Sequence, residues 1–562
     1  MRLNWAMLRA LIFLGVAATA VVLGYVGFSE YLSHYAAQTF GRGWADILYY
    51  ALQLFLLGAP LGPAPGPFPV PLQIARFLAP ATTVLAGVET LRLLLGEQLR
   101  QWEAAHARKH AIVTGDGPAA IELARRLRDE RGKVVLVSAT PVVTGQARRH
   151  RLLEVSGDPT DPGTLQAAGL SRAEAVYACT DHSATNAAIA LRAREISQAR
   201  GRALAAYAQV RDAEISTALR ARRIGAPGDP QFRLDFFSIE EIAARVLLDR
   251  YPLVTGSEQA AEVVIIGFGR LGGAVLREIA RRQPPSGPPP KVTVVHGETA
   301  EDVPRFLDRF PVIGRNCSVT YAADMPRPLA DDAPRLMFVC LPDNDEALRA
   351  GLAGAHTLTG RSDRVVICMA EPSPFGTVIT GDGALLDDAK GRLTVFEVLG
   401  EACVPEQIRD DLIDQLARAI HHAYVGACTA RGDSPSVNLS MRVWEELPED
   451  LRRANRAQAT DIGVKLHAVD CDLVPESPQA PDFAFTDGEI ELLAQMEHDR
   501  WVGERQSQGY VYGPTREGRH HPDLMDWKSL SGRAKEKDRD AVRQLPAILE
   551  RAGFQIIRLP PR

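Results

Sequence analysis

The chain has 562 residues, enough for about three to four domains, and a formal net charge of −5 at pH 7. With 24% charged and 46% hydrophobic residues it has an ordinary globular composition, and the lack of excess positive charge argues against nucleic acid as the main partner. The seven cysteines are odd in number and form no CxxC pair, which predicts reduced thiols in the cytosol and no zinc site.

The N-terminal part of the chain is apolar enough to enter a membrane. Leu8 to Phe28 is a run of about 20 apolar residues that matches a hydrocarbon core ~30 Å thick, and residues 71–95 form a second candidate span. A cleaved signal peptide is the alternative for the first run, but no A-x-A site followed by a secreted type of domain is present. The flank before the first span and the flank after the second are both basic, so we expect two crossings of the inner (cytoplasmic) membrane with both flanks in the cytoplasm.

Residues 45–71 lie between the two spans. Their apolar part, Ile47 to Leu57, is too short to cross a bilayer, and a stretch rich in glycine and proline follows it. This pattern predicts a re-entrant or interfacial helix and then irregular backbone, which at membrane depth must be buried in protein or line a water-filled cavity. We therefore expect a multi-pass transmembrane module over residues 1–100, in contact with membrane lipid.

Two glycine turns follow along the chain, each placed between an apolar run and a helix-like pattern. The first contains Gly115 and Gly117, and the second contains Gly267, Gly269 and Gly272. In this arrangement the backbone can approach a phosphate, and the N-terminus of the helix offers free N–H groups to it. One GxGxxG motif is a weak signal, but a second copy in the same setting strengthens it. The alternative is that the glycines only allow tight packing of strand against helix.

Around both turns, short apolar runs alternate with helical patterns, which predicts parallel α/β units. We expect a first Rossmann-like domain over residues 108–258 and a second over residues 259–403. The residue that ends the second strand, where an acid would bind an adenosine ribose, is Ser138 in the first domain and His296 in the second. NAD is therefore less expected than another nucleotide-type ligand.

The segments GDGPAA, GDPTDPGTLQAAGL and YACTDHSATNAAIA resemble the regulator-of-potassium-conductance domain of the TrkA-N type, which is present here as two tandem copies over roughly residues 108–400. The resemblance implies that Asp158, Asp181 and Asn186 are polar positions around the strand ends that frame a nucleotide. Together with the two spans, the chain is similar to ligand-gated potassium channels of prokaryotes, which implies a gating ring built by a homotetramer. Residues 53–66 lack a TVGYG-like selectivity filter, so the sequence does not assign the ion.

The last third of the chain contains a repeat. Trp444 and Trp527 each precede a leucine by three residues and Asn455 or Asp538 by 11 residues, and LARAIHHAYV aligns with LAQMEHDRWV upstream. We interpret the segments 404–475 and 484–562 as two copies of a small, mainly helical unit.

The second copy resembles the ryanodine-receptor repeat (RyR) domain, whereas the first copy is a degenerate match. The resemblance implies a small recognition module for nucleotide-derived ligands. The matching residues of the second copy are Glu497, Trp501, Arg505, Gly509, Tyr510, Tyr512, Gly513, Pro514, Arg516, His521, Pro522, Leu524, Trp527, Leu530, Asp538, Arg539 and Pro546. The first copy retains Tyr424, Trp444, Leu447, Asn455 and Arg456.

The second copy combines flat aromatic faces with guanidinium groups. Trp501, Arg505, Tyr512, Arg516 and Trp527 are residue types that hold a planar, small anionic ligand by stacking, cation–π contact and bidentate hydrogen bonds. The alternative is that the tryptophans belong to the core and that an intrahelical ion pair joins Glu497 to the arginine eight residues on.

These patterns favour a ligand-gated ion channel, cation-conducting and potassium-like, whose cytosolic ring senses a nucleotide-type ligand. A membrane-anchored nucleotide sensor without a pore is the alternative. A membrane-bound NAD(P)-dependent oxidoreductase is a third hypothesis, but no ribose acid and no catalytic constellation are recognisable in the sequence.

Overall fold

The computed structural model divides the chain into two compact units, residues 1–103 and 104–562. The structure describes residues 5–35, 41–56, 66–140, 150, 152–199, 203–225, 231–253, 260–283, 288–295, 302–323, 335–357, 364–370, 392–430, 432–434, 438–477, 483–515 and 517–560.

Within its described residues, the first unit is built from three α-helices. They are α1 (Trp5–His34), α2 (Trp44–Gln53) and α3 (Val70–His106), and a short 3-10 helix, Leu54–Leu56, continues α2. Two segments, Leu11–His34 and Val70–Leu91, are long and apolar enough to cross a membrane. The structure therefore contains two helices of spanning length at the positions of the two predicted spans.

Small residues bring these helices together. A Cβ on Gly27 would lie 2.5 Å from the backbone nitrogen of Leu72, so α1 and α3 pack at backbone distance. The hydroxyl of Thr83 on α3 donates a hydrogen bond of 2.9 Å to the carbonyl of Phe55, at the end of α2. Large apolar side chains remain exposed around the bundle; Phe77 is 81% exposed. Of the predicted re-entrant segment 45–71, residues 57–65 lie outside the described part of the chain.

A six-stranded parallel sheet follows, with strand order β3-β2-β1-β4-β5-β6. Its strands are β1 (Ala111–Thr114), β2 (Val134–Ser138), β3 (Leu153–Ser156), β4 (Ala175–Ala178), β5 (Leu204–Gln209) and β6 (Phe232–Phe237). Its helices are α4 (Pro118–Arg131), α5 (Pro162–Ala167), α6 (Ser183–Gln198), α7 (Ala213–Gly225) and α8 (Ile239–Arg250). Every residue of β1 and β2 is buried, as expected for a parallel sheet covered on both faces.

The second sheet has the order β12-β11-β10-β7-β8-β9, the same topology as the first. Its strands are β7 (Glu262–Ile266), β8 (Lys291–Val295), β9 (Ser318–Ala322), β10 (Arg335–Val339), β11 (Arg364–Met369) and β12 (Leu393–Glu397). Its helices are α9 (Arg270–Arg282), α10 (Asp302–Arg309), α11 (Pro311–Asn316), α12 (Asn344–Thr357) and α13 (Val398–Ala402). Both sheets confirm the predicted Rossmann-like class, and in each the strand order reverses beside the strand that leads into a glycine turn.

One continuous core joins the two sheets, with α8 and α9 between them. A buried charge cluster lies in this interface. The Glu241 carboxylate pairs with Arg277 at 2.8 Å and also with Arg220. Burial alone would raise the pKa of Glu241, but the guanidinium groups of Arg220, Arg277 and Arg281 outweigh that effect and lower it.

The C-terminal part contains the same succession of elements twice. The first succession is α14 (Pro405–Ala430), a 3-10 helix (Trp444–Glu446), α15 (Glu449–Ala468) and β13 (Cys471–Pro475). The second is α16 (Asp487–Ser507), the short strands β14 (Val511–Tyr512) and β15 (His520–His521), a 3-10 helix (Trp527–Ser529), α17 (Gly532–Arg551) and β16 (Phe554–Arg558). We call these segments the first and the second repeat. Strands β13 and β16, which the sequence did not predict, pair antiparallel and join the repeats.

Candidate functional site

The first glycine turn leaves β1 and enters α4. Gly115 has a φ of +137°, and a Cβ there would lie 2.5 Å from the carbonyl oxygen of Cys179, so only glycine fits. Gly117 is the N-cap of α4 and carries no side-chain cap, but Pro118 occupies the first helical position. Proline has no N–H, so this helix offers one donor fewer to an anion.

The side chain inside the first turn is acidic. The Asp116 carboxylate accepts a hydrogen bond of 3.1 Å from the backbone N–H of Ala139 and another from the Thr140 hydroxyl. Ser138, at the position of the missing ribose acid, is buried, and its hydroxyl donates to the Thr140 carbonyl at 2.9 Å. A carboxylate in the turn repels phosphate, so the first turn is poorly suited to an anion.

The second glycine turn is more open. Gly267 has a φ of +90°, and a Cβ on Gly272 would collide with the Gly267 carbonyl oxygen, which makes glycine necessary at both positions. Gly269 is the N-cap of α9, makes no side-chain cap, and has no described atom within 4 Å of an added Cβ. The first N–H groups of α9 therefore have no side-chain acceptor from the N-cap, which is the arrangement that binds anions.

The predicted polar residues of the first domain lie in different surroundings. A Cβ on Gly117 would stand 3.9 Å from Asp181, whose carboxylate pairs with Arg211 at 2.7 Å. Asp158 instead accepts a hydrogen bond of 2.8 Å from the N–H of Thr160, and this bond lowers the pKa of Asp158. The structure thus brings Asp181 to the turn, whereas Asp158 shapes its own loop.

Asn186 is fully buried and bonded on both ends of its amide. Its oxygen accepts from the N–H of Thr180 at 2.8 Å, and its nitrogen donates to the carbonyl of Gln209 at 2.9 Å. These hydrogen bonds connect the end of β4 to the end of β5, so Asn186 has a structural role.

Of the predicted aromatic and arginine residues that the structure describes in the second repeat, Trp501 and Trp527 both lie beside the His498 ring, whereas Arg505 contacts another ring. The Trp501 ring lies edge-on to His521 at 4.9 Å. The Arg505 guanidinium lies 5.2 Å from the centre of the Tyr510 ring and donates to Gln508 at 3.2 Å, so its contacts are local. Ligand binding by Trp501 and Arg505 stays a prediction.

Trp527 belongs to the core, as the alternative interpretation held. It is 7% exposed, and its indole N–H donates to Glu491 at 3.2 Å. Tyr512 is 57% exposed on the strand β14. Arg516 lies outside the described residues.

Glu497 is buried and does not pair with Arg505. Its carboxylate contacts Lys465 of the first repeat and Arg500 of its own helix, both at 2.7 Å. Burial would raise the pKa of Glu497, but hydrogen bonds from Arg500 and the charge of Lys465 lower it. This residue therefore helps to hold the two repeats together.

A histidine is used in the same way in both repeats. His421 bonds through Nε2 to the carbonyl of Arg442, and His498 bonds through Nε2 to the carbonyl of Met525, both at 2.8 Å. Each ring lies 5.8 Å from the tryptophan ring of its own 3-10 helix. The sequence alignment paired these two histidines but gave no sign of this shared role.

The repeats also share an ion pair beside the tryptophan. Arg456 donates to Asp414 at 2.9 Å in the first repeat, and Arg539 donates to Glu491 at 2.8 Å in the second. Both carboxylates occupy equivalent positions in the alignment of the two opening helices. The first repeat is thus degenerate in sequence, but it keeps the contacts that position its tryptophan.

A cleft of about 470 Å³ opens against the first repeat, a volume in the range of small-molecule sites. Its walls come from α8 and α9, from α14 and residues 441–445, and from residues 551–552 at the end of α17. Six of its lining side chains are arginines and two are glutamates, so cationic side chains outnumber anionic ones in the cleft. No pattern in the sequence predicted this cleft, and the signal that could have pointed to it was the pair of arginines that ends α9.

Two segments of the chain match known domain families. Residues 111–227 match the TrkA-N domain, and residues 486–558 match the RyR domain. Both matches confirm the resemblances to the TrkA-N and RyR domains that the sequence indicated. Among curated proteins, none matches the chain.

Several solved structures are similar to the chain at low identity. A point mutant of GsuK is 15% identical with a TM-score of 0.38, and 72% of this chain and 98% of that chain are covered. The GsuK channel bound to NAD is 13% identical with a TM-score of 0.39, covering 72% and 84%. Shikimate dehydrogenase of Mycobacterium tuberculosis is 15% identical with a TM-score of 0.29, covering 54% and 93%.

Proposed function

We propose that this chain is the subunit of a ligand-gated ion channel, conducting potassium or a similar cation, that assembles as a homotetramer in the inner membrane. The observation that carries the proposal is the small apolar bundle that precedes the Rossmann-like domains along the chain. In it, a short helix and two helices of spanning length pack through glycine and alanine contacts. The exposed apolar side chains of this bundle suit membrane lipid or other copies of the chain.

The cytosolic part is proposed to sense a nucleotide-type ligand. Two sheets with the Rossmann strand order support this proposal, since such sheets bind nucleotides where the order reverses. We place the ligand phosphate at the second turn, because Gly269 leaves the N-terminus of α9 open, whereas Asp116 and Pro118 obstruct the first turn. A ligand at this turn can shift the pore only by binding its open and closed states unequally.

Planar-bilayer recording of the purified protein tests the proposal. ADP and NAD, added on the cytosolic side, are suitable probes because both carry a diphosphate. We expect single-channel currents whose open probability changes with one of these nucleotides. If the purified protein carries no current under any of these conditions, the proposed pore is wrong and only the proposed sensor remains.

Gly269→Asp tests the position of the ligand. Aspartate is a favourable N-cap, so the variant should fold, but its carboxylate would occupy the N–H groups of α9 and repel phosphate. We expect the currents to remain and the nucleotide response to disappear. Gly488→Asp is the matched control, because it places the same charge in the first turn of α16 with open space around it. An unchanged nucleotide response in Gly269→Asp would show that the ligand binds at another position.

A membrane-anchored sensor without a pore is the second candidate. The missing filter motif in residues 53–66 favours it. Single cysteines at Gln53, Leu57 and Leu61 separate the two candidates. Reaction of all three with a water-soluble thiol reagent supports a pore, and protection of all three by lipid supports an anchor.

A further inference from the structure

The cleft beside the first repeat is formed by three separate parts of the cytosolic unit. Leu248 and Arg282 come from the helices between the two sheets, Trp444 comes from the first repeat, and Arg551 comes from the end of α17 in the second repeat. A molecule in the cleft would contact all three parts at once. Its binding would therefore depend on how they are arranged.

Two of the arginines in the cleft are already neutralised. Arg282 pairs with Asp249 at 2.6 Å and with Glu278 at 2.8 Å. Arg418 pairs with the same Asp249 at 3.0 Å and with Glu445 at 2.8 Å. These charges hold the wall of the cleft together and leave little attraction for a ligand.

Arg551 differs from them. Its side chain is half-buried, and its guanidinium makes no hydrogen bond or ion pair with any residue in the described part of the chain. Burial lowers the pKa of Arg551 despite the charge of Glu550, which indicates a cation short of compensation. Arg442, exposed at the rim, likewise makes no side-chain hydrogen bond or ion pair to the described residues. An anion in the cleft would find both groups available.

His422 adds a neutral polar group to the wall. Burial, and then the neighbouring His421 and Arg282, lower the pKa of His422 to about 4, so the ring is uncharged at pH 7. Within the described residues it makes no hydrogen bond, so it keeps one N–H donor and one acceptor for a ligand. Val425 and Met441 supply apolar wall beside it.

The equivalent face of the second repeat lacks this chemistry. At the position of His422 it has Asp499, and at the position of Arg442 it has Met525. Both differences remove affinity for an anion. The cationic cleft therefore lies at the first repeat and its chemistry is not repeated at the equivalent face of the second, although the second repeat is the one that matches the RyR family.

We propose that this cleft binds an organic phosphate of the nucleoside type, with the phosphate at Arg551 and Arg442 and the base against the apolar wall beside His422. The site is separate from the second glycine turn. This inference rests on the proposed sensing function and gives it a second ligand position.

Isothermal titration of the full-length protein in detergent tests the site with ADP, adenosine and inorganic phosphate as separate probes. We expect ADP to bind at two sites in the unaltered protein. Arg551→Gln should weaken one of them about tenfold or more, because a charge-assisted bond is lost. Arg453→Gln removes an exposed arginine of the same repeat outside the cleft and should change neither site. Val425→Trp keeps the charges but fills the cleft, and it should also abolish one site.

The outcomes separate the two proposals. If Gly269→Asp removes all ADP binding while Arg551→Gln and Val425→Trp remove none, the cleft is not a ligand site and the proposed function stands. If the cleft variants alone lose binding, the cleft is the site and the glycine turn is not. Binding of phosphate as tightly as ADP would contradict the nucleoside class, and binding of adenosine as tightly as ADP would contradict the role of Arg551.

Discussion

Glycine is necessary at position 272 of the second turn and replaceable at position 269. A methyl group on Gly272 would meet the carbonyl oxygen of Gly267, whereas one on Gly269 would meet nothing within 4 Å. We predict that Gly272→Ala destabilises the protein by about 1–3 kcal/mol, the usual effect of overpacking. Gly269→Ala is the control and should leave thermal unfolding, followed by tryptophan fluorescence, nearly unchanged. Equal unfolding temperatures for the two variants would show that the turn relaxes freely.

The two equivalent histidines have opposite electrostatic surroundings. Burial lowers the pKa of His421. Burial acts on His498 too, but hydrogen bonds to the Asp538 carboxylate and to the Met525 carbonyl raise the pKa of His498. The position equivalent to Asp538 in the first repeat is Asn455, a neutral amide. The Asp538 carboxylate is thus one difference between the repeats that raises the pKa of His498.

We predict a pH-dependent effect of Asp538→Asn. Because the folded-state pKa of His498 is raised, its stabilising contribution is complete below pH 6.5 and is lost as the pH rises through that raised pKa. The variant should therefore be less stable than the unaltered protein by about 1 kcal/mol at pH 6, and the difference should shrink at pH 9. Asp540→Asn, on the same helix but exposed, is the control for urea unfolding. A difference independent of pH would exclude the histidine as its cause.

At the scale of secondary-structure elements, the antiparallel pairing of β13 with β16 joins the two repeats into one structure. Ile556 of β16 is opposite Leu473 of β13, and its side chain is 5% exposed, whereas the next residue, Ile557, is 36% exposed on the other face. The shared ribbon therefore closes the common core on one side only.

We predict that Ile556→Ala destabilises both repeats together, by about 2–5 kcal/mol as for other buried isoleucines. Ile557→Ala removes the same atoms from the exposed face and should have a much smaller effect. Urea unfolding followed by tryptophan fluorescence measures the change, and limited proteolysis reports whether both repeats open. Cleavage confined to the second repeat would show that the first is stable without its partner strand.

Central strands and turns could be predicted from the sequence because their signals are local. The run that ends at Ile266 is buried on both faces, so it is continuously apolar, and a glycine turn follows directly. The edge strands β3 and β9 were missed because each is partly or mostly exposed and has no apolar run. Pairing of β13 with β16 was invisible because it joins residues far apart along the chain.

The cleft could not be predicted for the same reason. Its lining residues lie between Arg245 and Ala552, and only the packing of two domains and two repeats brings them together. A lone arginine such as Arg551 is indistinguishable in the sequence from the surface arginines around it. Conversely, Trp501 and Arg505 looked like a site because they are close in sequence, but the Trp501 ring contacts His521, whereas the Arg505 guanidinium contacts the ring of the nearby Tyr510.

At the scale of the whole molecule, the proposed topology has both flanks of the membrane module in the cytoplasm. We predict that a membrane-impermeant maleimide labels Tyr35→Cys in intact cells and labels Arg108→Cys only after lysis. Background labelling should be low, because all seven native cysteines are buried. Tyr35 and Arg108 are both exposed, so they form a matched pair. Labelling of Arg108→Cys in intact cells would contradict the proposed orientation.

The ribbon between the repeats also sets the order in which the molecule can be completed during synthesis. Domains usually fold in the order in which the ribosome releases them, the N-terminal ones first. Strand β13 is made before the whole second repeat, but its only partner, among the described strands, is β16. The edge of β13 in the first repeat therefore stays unpaired until residues 554–558 have left the ribosome. A chaperone that covers such an edge would be most needed during that interval.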